Sequence, residues 1–195
     1  PTMGGVIFLF SILITSLFYV SDYPRIIPVL VLTLGFGVIG FLDDYLKVVL
    51  RRSDGLMPGE KMLGQLIVTT IFVIFLWMMD SSLLELRIPF GLFGVRELGG
   101  PAVKIIATPL AYLVVIGTVN GVNFTDGLDG LATGVTSMVA VFYLAASALL
   151  EGRIEPMMAA VLGALLGFLI FNVHPAKVFM GDTGSLALGG FVAGS

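Results

Sequence analysis

Six stretches of this sequence, at 6–20, 26–42, 62–79, 103–119, 131–150 and 157–171, run for 15 to 20 residues with Lys104 as their one charged residue. A seventh apolar run begins near Leu186 and reaches the last residue. A helix needs about 20 predominantly apolar residues to cross roughly 30 Å of hydrocarbon. The two 15-residue cores are short, but uncharged flanks extend them. Lipid offers no partner for backbone N–H and C=O groups, so a span is a helix or part of a closed barrel. These runs are too long for barrel strands and lack their period-two alternation. The expectation is an all-α, polytopic integral membrane helical bundle: six helices and part of a seventh, in one transmembrane domain over 1–195.

Composition agrees. Of 195 residues, 57% are hydrophobic and 12% charged, and the mean hydropathy is +1.07. A soluble globule has about 25% charged residues to cover its surface, so a soluble domain and a disordered tail are both excluded. A net charge of −3 leaves no basic face for nucleic acid. With no cysteine, disulfides, thiolate metal sites and a Cys nucleophile are ruled out. The 25 glycines suit helices that pack closely in lipid. Residues 6–20 have no basic region before them and no cleavage pattern after them, so they are not a signal peptide. The chain opens on Pro1 and stops inside an apolar run, and is expected to be an excerpt, incomplete at both ends.

Chain direction alternates from helix to helix. The connections at 43–61, 120–130 and 172–185 therefore share one face with residues 1–5, and 21–25, 80–102 and 151–156 share the other. Positive charge does not orient this arrangement. Lys47, Arg51, Arg52, Lys61 and Lys177 lie on the first face, against Arg25, Arg87, Arg96, Lys104 and Arg153 on the second. The denser cluster tilts the first face towards the cytoplasm. Residues 86–94, Leu-Arg-Ile-Pro-Phe-Gly-Leu-Phe-Gly, fit a small hairpin or an interfacial piece on the second face.

Alternation also collects acidic residues. Asp43, Asp44, Asp126, Asp129 and Asp182 all fall on the first face, at membrane ends of helices, where ionisable groups are functional candidates by default. The plain alternative for Asp43–Asp44 is a solvated helix end. Two carboxylates at a helix C-terminus oppose the macrodipole, however, and call for a cation: Lys47 four residues on, or a metal ion. For Asn123-Phe-Thr-Asp126-Gly-Leu-Asp129-Gly the alternative is N-capping, but one cap needs one residue. If a helix begins early, Asp126 and Asp129 share a face. Gly181-Asp182-Thr-Gly-Ser before an apolar run is a fair helix start with N–H groups suited to phosphate. Its glycine spacing is not that of a Walker loop. His174, the one histidine, sits beside a proline and reads as a turn or hydrogen-bonding residue rather than a metal ligand or base. Lys47, Arg51 and Arg52 read as a solvated loop, whereas Lys61 at a helix start asks for an anionic partner. Clustered oxygen ligands select Mg²⁺ or Mn²⁺ over zinc. A site at the bilayer surface that holds a metal-bound phosphate favours phosphoryl-type transfer to or from a lipid.

Four motifs carry a resemblance: Pro-Thr-Met-Gly-Gly at 1–5, Phe-Leu-Asp-Asp-Tyr at 41–45, Asn-Phe-Thr-Asp-Gly-Leu-Asp-Gly at 123–130 and Pro-Ala-Lys-Val-Phe-Met-Gly-Asp-Thr-Gly-Ser-Leu-Ala-Leu-Gly-Gly at 175–190. In order and spacing the chain resembles the phospho-N-acetylmuramoyl-pentapeptide-transferase family, within the polyprenyl-phosphate N-acetylhexosamine-1-phosphate transferases. The resemblance implies a bacterial inner-membrane enzyme of ten helices, a homodimer with its site facing the cytoplasm. It implies Mg²⁺-dependent transfer of phospho-MurNAc-pentapeptide from UDP-MurNAc-pentapeptide to undecaprenyl phosphate, giving lipid I and UMP. Asp182 matches the family's Mg²⁺-binding Asp, and Asp43 and Asp44 its catalytic acidic pair. Lys61, Asn123 and Asp126 match nucleotide-pocket residues, with Asp129 beside them. Asn172 matches a site residue, Phe179 the aromatic that stacks on uracil, and Thr2 a threonine near the nucleotide.

The family's histidine-rich loop and a lysine just before the first motif are not in this sequence, so the isolated chain is expected to be inactive. Two rivals stand beside this reading: a sibling that transfers GlcNAc-1-phosphate to the same lipid, and an ion-coupled transporter. The transporter predicts carboxylates near the bilayer midplane in broken helices, whereas here they gather at one membrane end.

Overall fold

The computed structural model describes residues 2–52, 54–79, 86–88, 96–98 and 101–195. Seven helices appear among them: α1 (Gly5–Tyr19), α2 (Ile26–Val48), α3 (Pro58–Met79), α4 (Pro101–Thr125), α5 (Leu131–Leu150), α6 (Glu155–Asn172) and α7 (Gly181–Gly194). Five of them, all but α1 and α7, contain segments long and apolar enough to cross a membrane. Between α3 and α4, β1 (Leu86–Ile88) pairs antiparallel with β2 (Arg96–Leu98), Arg87 opposite Glu97. This is the hairpin that the 86–94 segment suggested; 89–95 and the rest of its surroundings lie outside the described residues.

Helix ends differ most from the hydropathy reading in three places. α2 continues past Leu42 to Val48, so Asp43 and Asp44 lie one turn inside it. α4 runs on through Asn120 to Thr125. α7 starts at Gly181, five residues before the apolar run at Leu186. In each case the extra turn is polar, and tertiary partners hold it where hydropathy has no signal. Asn120, for example, donates to the Ile116 carbonyl and exchanges hydrogen bonds with Gln65 of α3. At the start of α3, Pro58 takes the first position, where its missing N–H costs nothing, and Glu60 accepts the Met57 N–H at 3.0 Å.

α7 is the central element. Leu186, Ala187, Leu188 and Phe191 are fully buried, with α1, α2, α4 and α5 around it. One apolar cluster joins Phe8, Ile12, Met157, Leu165, Phe168 and Phe191; another joins Leu32, Phe36, Phe72, Val115, Val119 and Leu186. Phe8 and Phe168 meet edge to face with centroids 5.2 Å apart. The outward faces carry Ile7, Phe10, Phe18, Ile105, Leu113, Met138, Phe142, Leu149 and Ile170, all exposed. An apolar exterior of this extent fits lipid rather than water.

Gly40 decides how closely α2 lies on α7. A Cβ there would run into the Asp182 carbonyl, so only a glycine lets the end of α2 reach the start of α7. Direct contacts place the end of α2 and the starts of α3 and α7 at one end of the bundle, with the end of α4. At the other end, Arg25 before α2 reaches the Glu151 carbonyl after α5. The alternation derived from the sequence is thus the alternation observed.

Candidate active site

Asp182 is the meeting point. Its Oδ2 accepts from Lys47 Nζ at 3.1 Å and Lys61 Nζ at 3.1 Å, and its Oδ1 from Asn123 Nδ2 at 3.0 Å. The donors come from α2, α3 and α4. Asn123 also donates to Ser185 Oγ at 2.8 Å, one turn further along α7. Asp43, buried on α2, accepts the Leu56 N–H at 2.7 Å on Oδ1 and Lys47 Nζ on Oδ2. Lys47 is therefore not a solvated loop residue, as its neighbourhood of basic residues suggested. α2 continues far enough to set it four residues from Asp43, on the same face. Lys61, in the first turn of α3, has the anionic partner its position called for.

Asp44 points another way. Oδ1 accepts the Asp182 N–H at 3.1 Å, and Oδ2 accepts the Thr183 N–H at 2.8 Å and hydroxyl at 2.6 Å. Adjacent residues on a helix diverge by about 100°, so Asp43 and Asp44 serve different neighbours.

Asp126 and Asp129 do not share a helix face. They lie in the turn between α4 and α5, because α4 ends at Thr125 and α5 begins only at Leu131. Asp126 faces the cluster: burial first, then the charges of Asp182 and Asp44, push its carboxyl up to about 7. Asp129 turns to the α6–α7 connection, where Oδ2 accepts the Ala176 N–H at 3.0 Å and meets His174 Nδ1 at 3.0 Å. The Ala176 N–H and then His174 hold that carboxyl below its ordinary value. His174 is thus a hydrogen-bonding turn residue, and its bond to Pro175 is cis.

Asn172 is buried with its whole side chain engaged: Oδ1 accepts from Thr133 Oγ1 at 2.6 Å and Nδ2 donates to the Val178 carbonyl at 2.9 Å. Phe179 is 45% exposed beside it. The Phe179 carbonyl accepts the Gly4 N–H at 2.8 Å, which ties the opening motif to the last one and leaves Thr2 exposed nearby. The sequence reading missed Thr183 and Ser185, and it passed over Gln65, which is buried and paired with Asn120. A glutamine inside an apolar run was the available signal.

Among the described residues, Lys47 and Lys61 reach Asp43 and Asp182, Asp44 holds the start of α7, and Asp126 faces the same cluster, so carboxyl groups outnumber ammonium groups in a partly buried site. Among the described residues, no three carboxylate or imidazole groups close on a common point as a finished metal cage. The oxygen donor set still fits Mg²⁺, which commonly takes one or two carboxylates and completes its shell with substrate phosphates and water.

A family model for glycosyl transferase family 4 matches residues 26–195, which contain every one of these polar groups except the opening motif. The chain belongs to glycosyl transferase family 4. Within the family it is similar to proteins named phospho-N-acetylmuramoyl-pentapeptide-transferase. It is 47% identical over 195 residues to that of Acetivibrio thermocellus, covering 98% of this chain and 57% of that protein. To those of Clostridioides difficile and Bacillus subtilis it is 44% and 41% identical, each over 98% of this chain and 58% and 59% of theirs. The chain thus spans under two thirds of the length of these curated relatives.

Proposed function

We propose that the protein to which this chain belongs transfers phospho-MurNAc-pentapeptide from UDP-MurNAc-pentapeptide to undecaprenyl phosphate, forming lipid I and UMP. One observation carries the reading: in a chain 41–47% identical to transferases of that name, Asp43, Asp182, Lys47, Lys61 and Asn123 converge at one end of an apolar bundle. That end is where a water-soluble nucleotide and a membrane-held phosphate can meet. We assign it to the cytoplasmic side of the bacterial inner membrane, in a homodimer. The relatives' names favour this over GlcNAc-1-phosphate transfer, and the grouping of carboxylates at one end disfavours a transporter.

In this reading Asp182 holds Mg²⁺, which supplies charge neutralisation to the pyrophosphate. Lys47 and Lys61 steer the transferred phosphoryl group, Phe179 offers a face to uracil, and Thr2 and Asn123 contribute further contacts to the nucleotide. Asp126 lines the same pocket. Asn172 and Asp129 shape it by fixing the loops that carry Phe179. The lipid phosphate attacks in line. A phosphate monoester has a second pKa of about 6 and is largely ionised at pH 7, so Asp43 positions it or takes its remaining proton. Inversion at phosphorus fits this single displacement; retention would indicate a covalent enzyme phosphate. Asp182→Asn in the full-length enzyme should abolish Mg²⁺-dependent UMP release from UDP-MurNAc-pentapeptide, and normal turnover would refute the role. Turnover of UDP-GlcNAc in its place would select the sibling reaction.

A further inference from the structure

We propose that Asp44 is a positioning residue, whose carboxylate caps the amino end of α7 from α2 and so fixes Asp182 among its lysines. α7 has no side-chain cap of its own: Met180 stands at the capping position and makes no such bond. Helix starts leave N–H groups without intrahelical partners. Here two of them, from Asp182 and Thr183, donate to Asp44, and the Thr183 hydroxyl adds a third donor. Asp44 is 6% exposed and both of its oxygens accept from α7, so its carboxylate is aimed at the helix start and not at a substrate. It also sits where the helix dipole favours an anion. Gly181 completes the fit. It has φ +71°, and a Cβ there would come within 2.5 Å of Asp44 Oδ2. The backbone N–H of Asp182 is thus held by α2 while its side chain faces Lys47, Lys61 and Asn123. Adjacent carboxylates split the work: Asp43 joins the reacting cluster and Asp44 sets the element that carries Asp182.

Amide hydrogen exchange in the full-length, metal-free enzyme tests this without reference to turnover. In Asp44→Ala, residues 181–185 should exchange about tenfold faster or more, while α6 stays protected, since bonds to a charged acceptor are lost from α7 alone. Asp44→Asn retains one oxygen for the Thr183 donors and should fall between wild type and Asp44→Ala. Thr183→Val removes only the hydroxyl and supplies a milder variant if Asp44→Ala fails to fold. The activity arm rests on the transferase reading. Asp44→Asn should keep measurable turnover with the wild-type pH profile, because no proton passes through this group. Unchanged exchange at 181–185 in Asp44→Ala would overturn the proposal. So would an Asp44→Asn enzyme that is inactive although α7 stays protected. A wild-type enzyme that releases no UMP would sink the transferase reading and leave the exchange result to decide this one.

Discussion

At the residue scale, hydrogen-bond partners separate the acidic groups more sharply than their positions do. Asp43 and Asp182 share Lys47, Asp44 is spent on α7, and Asp129 on the α6–α7 connection. Asp126, in the turn between α4 and α5, is partly buried and faces the charges of Asp182 and Asp44, and its carboxyl is pushed up to about 7. Because the folded value exceeds the unfolded one, the native state binds more protons than the unfolded state between the two. Stability of the metal-free protein therefore falls as pH rises towards 7. Asp126→Asn removes the charge and should raise the melting temperature at pH 8 more than at pH 5, measured by thermal unfolding in detergent. An equal shift at both values would show that Asp126 ionises without penalty.

At the element scale, the site depends on how closely α2 and α7 approach. Gly40 has no side chain to hold them apart. Gly40→Ala sets a methyl against backbone, which cannot swing aside as a flexible side chain would, and overpacking of this sort costs about 1–3 kcal/mol. The variant should melt several degrees lower and lose turnover beyond its loss of stability, because Asp182 is the residue displaced. The α6–α7 connection is held independently, by Asn172 between Thr133 and Val178 and by Asp129 at Ala176. Asn172→Ala leaves a buried hydroxyl and a carbonyl without their partners, at about 1–3 kcal/mol. Its cost should appear mainly as lowered thermal stability and a weaker KM for the nucleotide sugar, with a smaller change in kcat.

At the scale of the whole molecule, helices of alternating direction put every group of the candidate site at one end. Lys177 lies at that end, and Glu151 at the other, beside Arg25. The sequence has no cysteine, so Lys177→Cys and Glu151→Cys introduce unique labels within this chain. A membrane-impermeant maleimide should react with Glu151→Cys in intact spheroplasts and with Lys177→Cys only after the membrane is opened. The reverse pattern would place the site outside the cell.

The membrane spans, their alternation and the face that collects the acidic groups are all legible in the sequence, because hydropathy is a property of consecutive residues and alternation follows from counting them. The motifs at 41–45, 123–130 and 175–190 were equally legible as polar groups in costly places. What each carboxylate does was not. Asp182 meets Lys61 across 121 residues, Asn123 across 59 and Lys47 across 135, and no local pattern encodes such separations. The polar turns that extend α2, α4 and α7 form because tertiary partners satisfy them, which only packing supplies. The chain alone determined that charge would gather at one membrane face; the packing of α7 among its neighbours decided which charges act on one another.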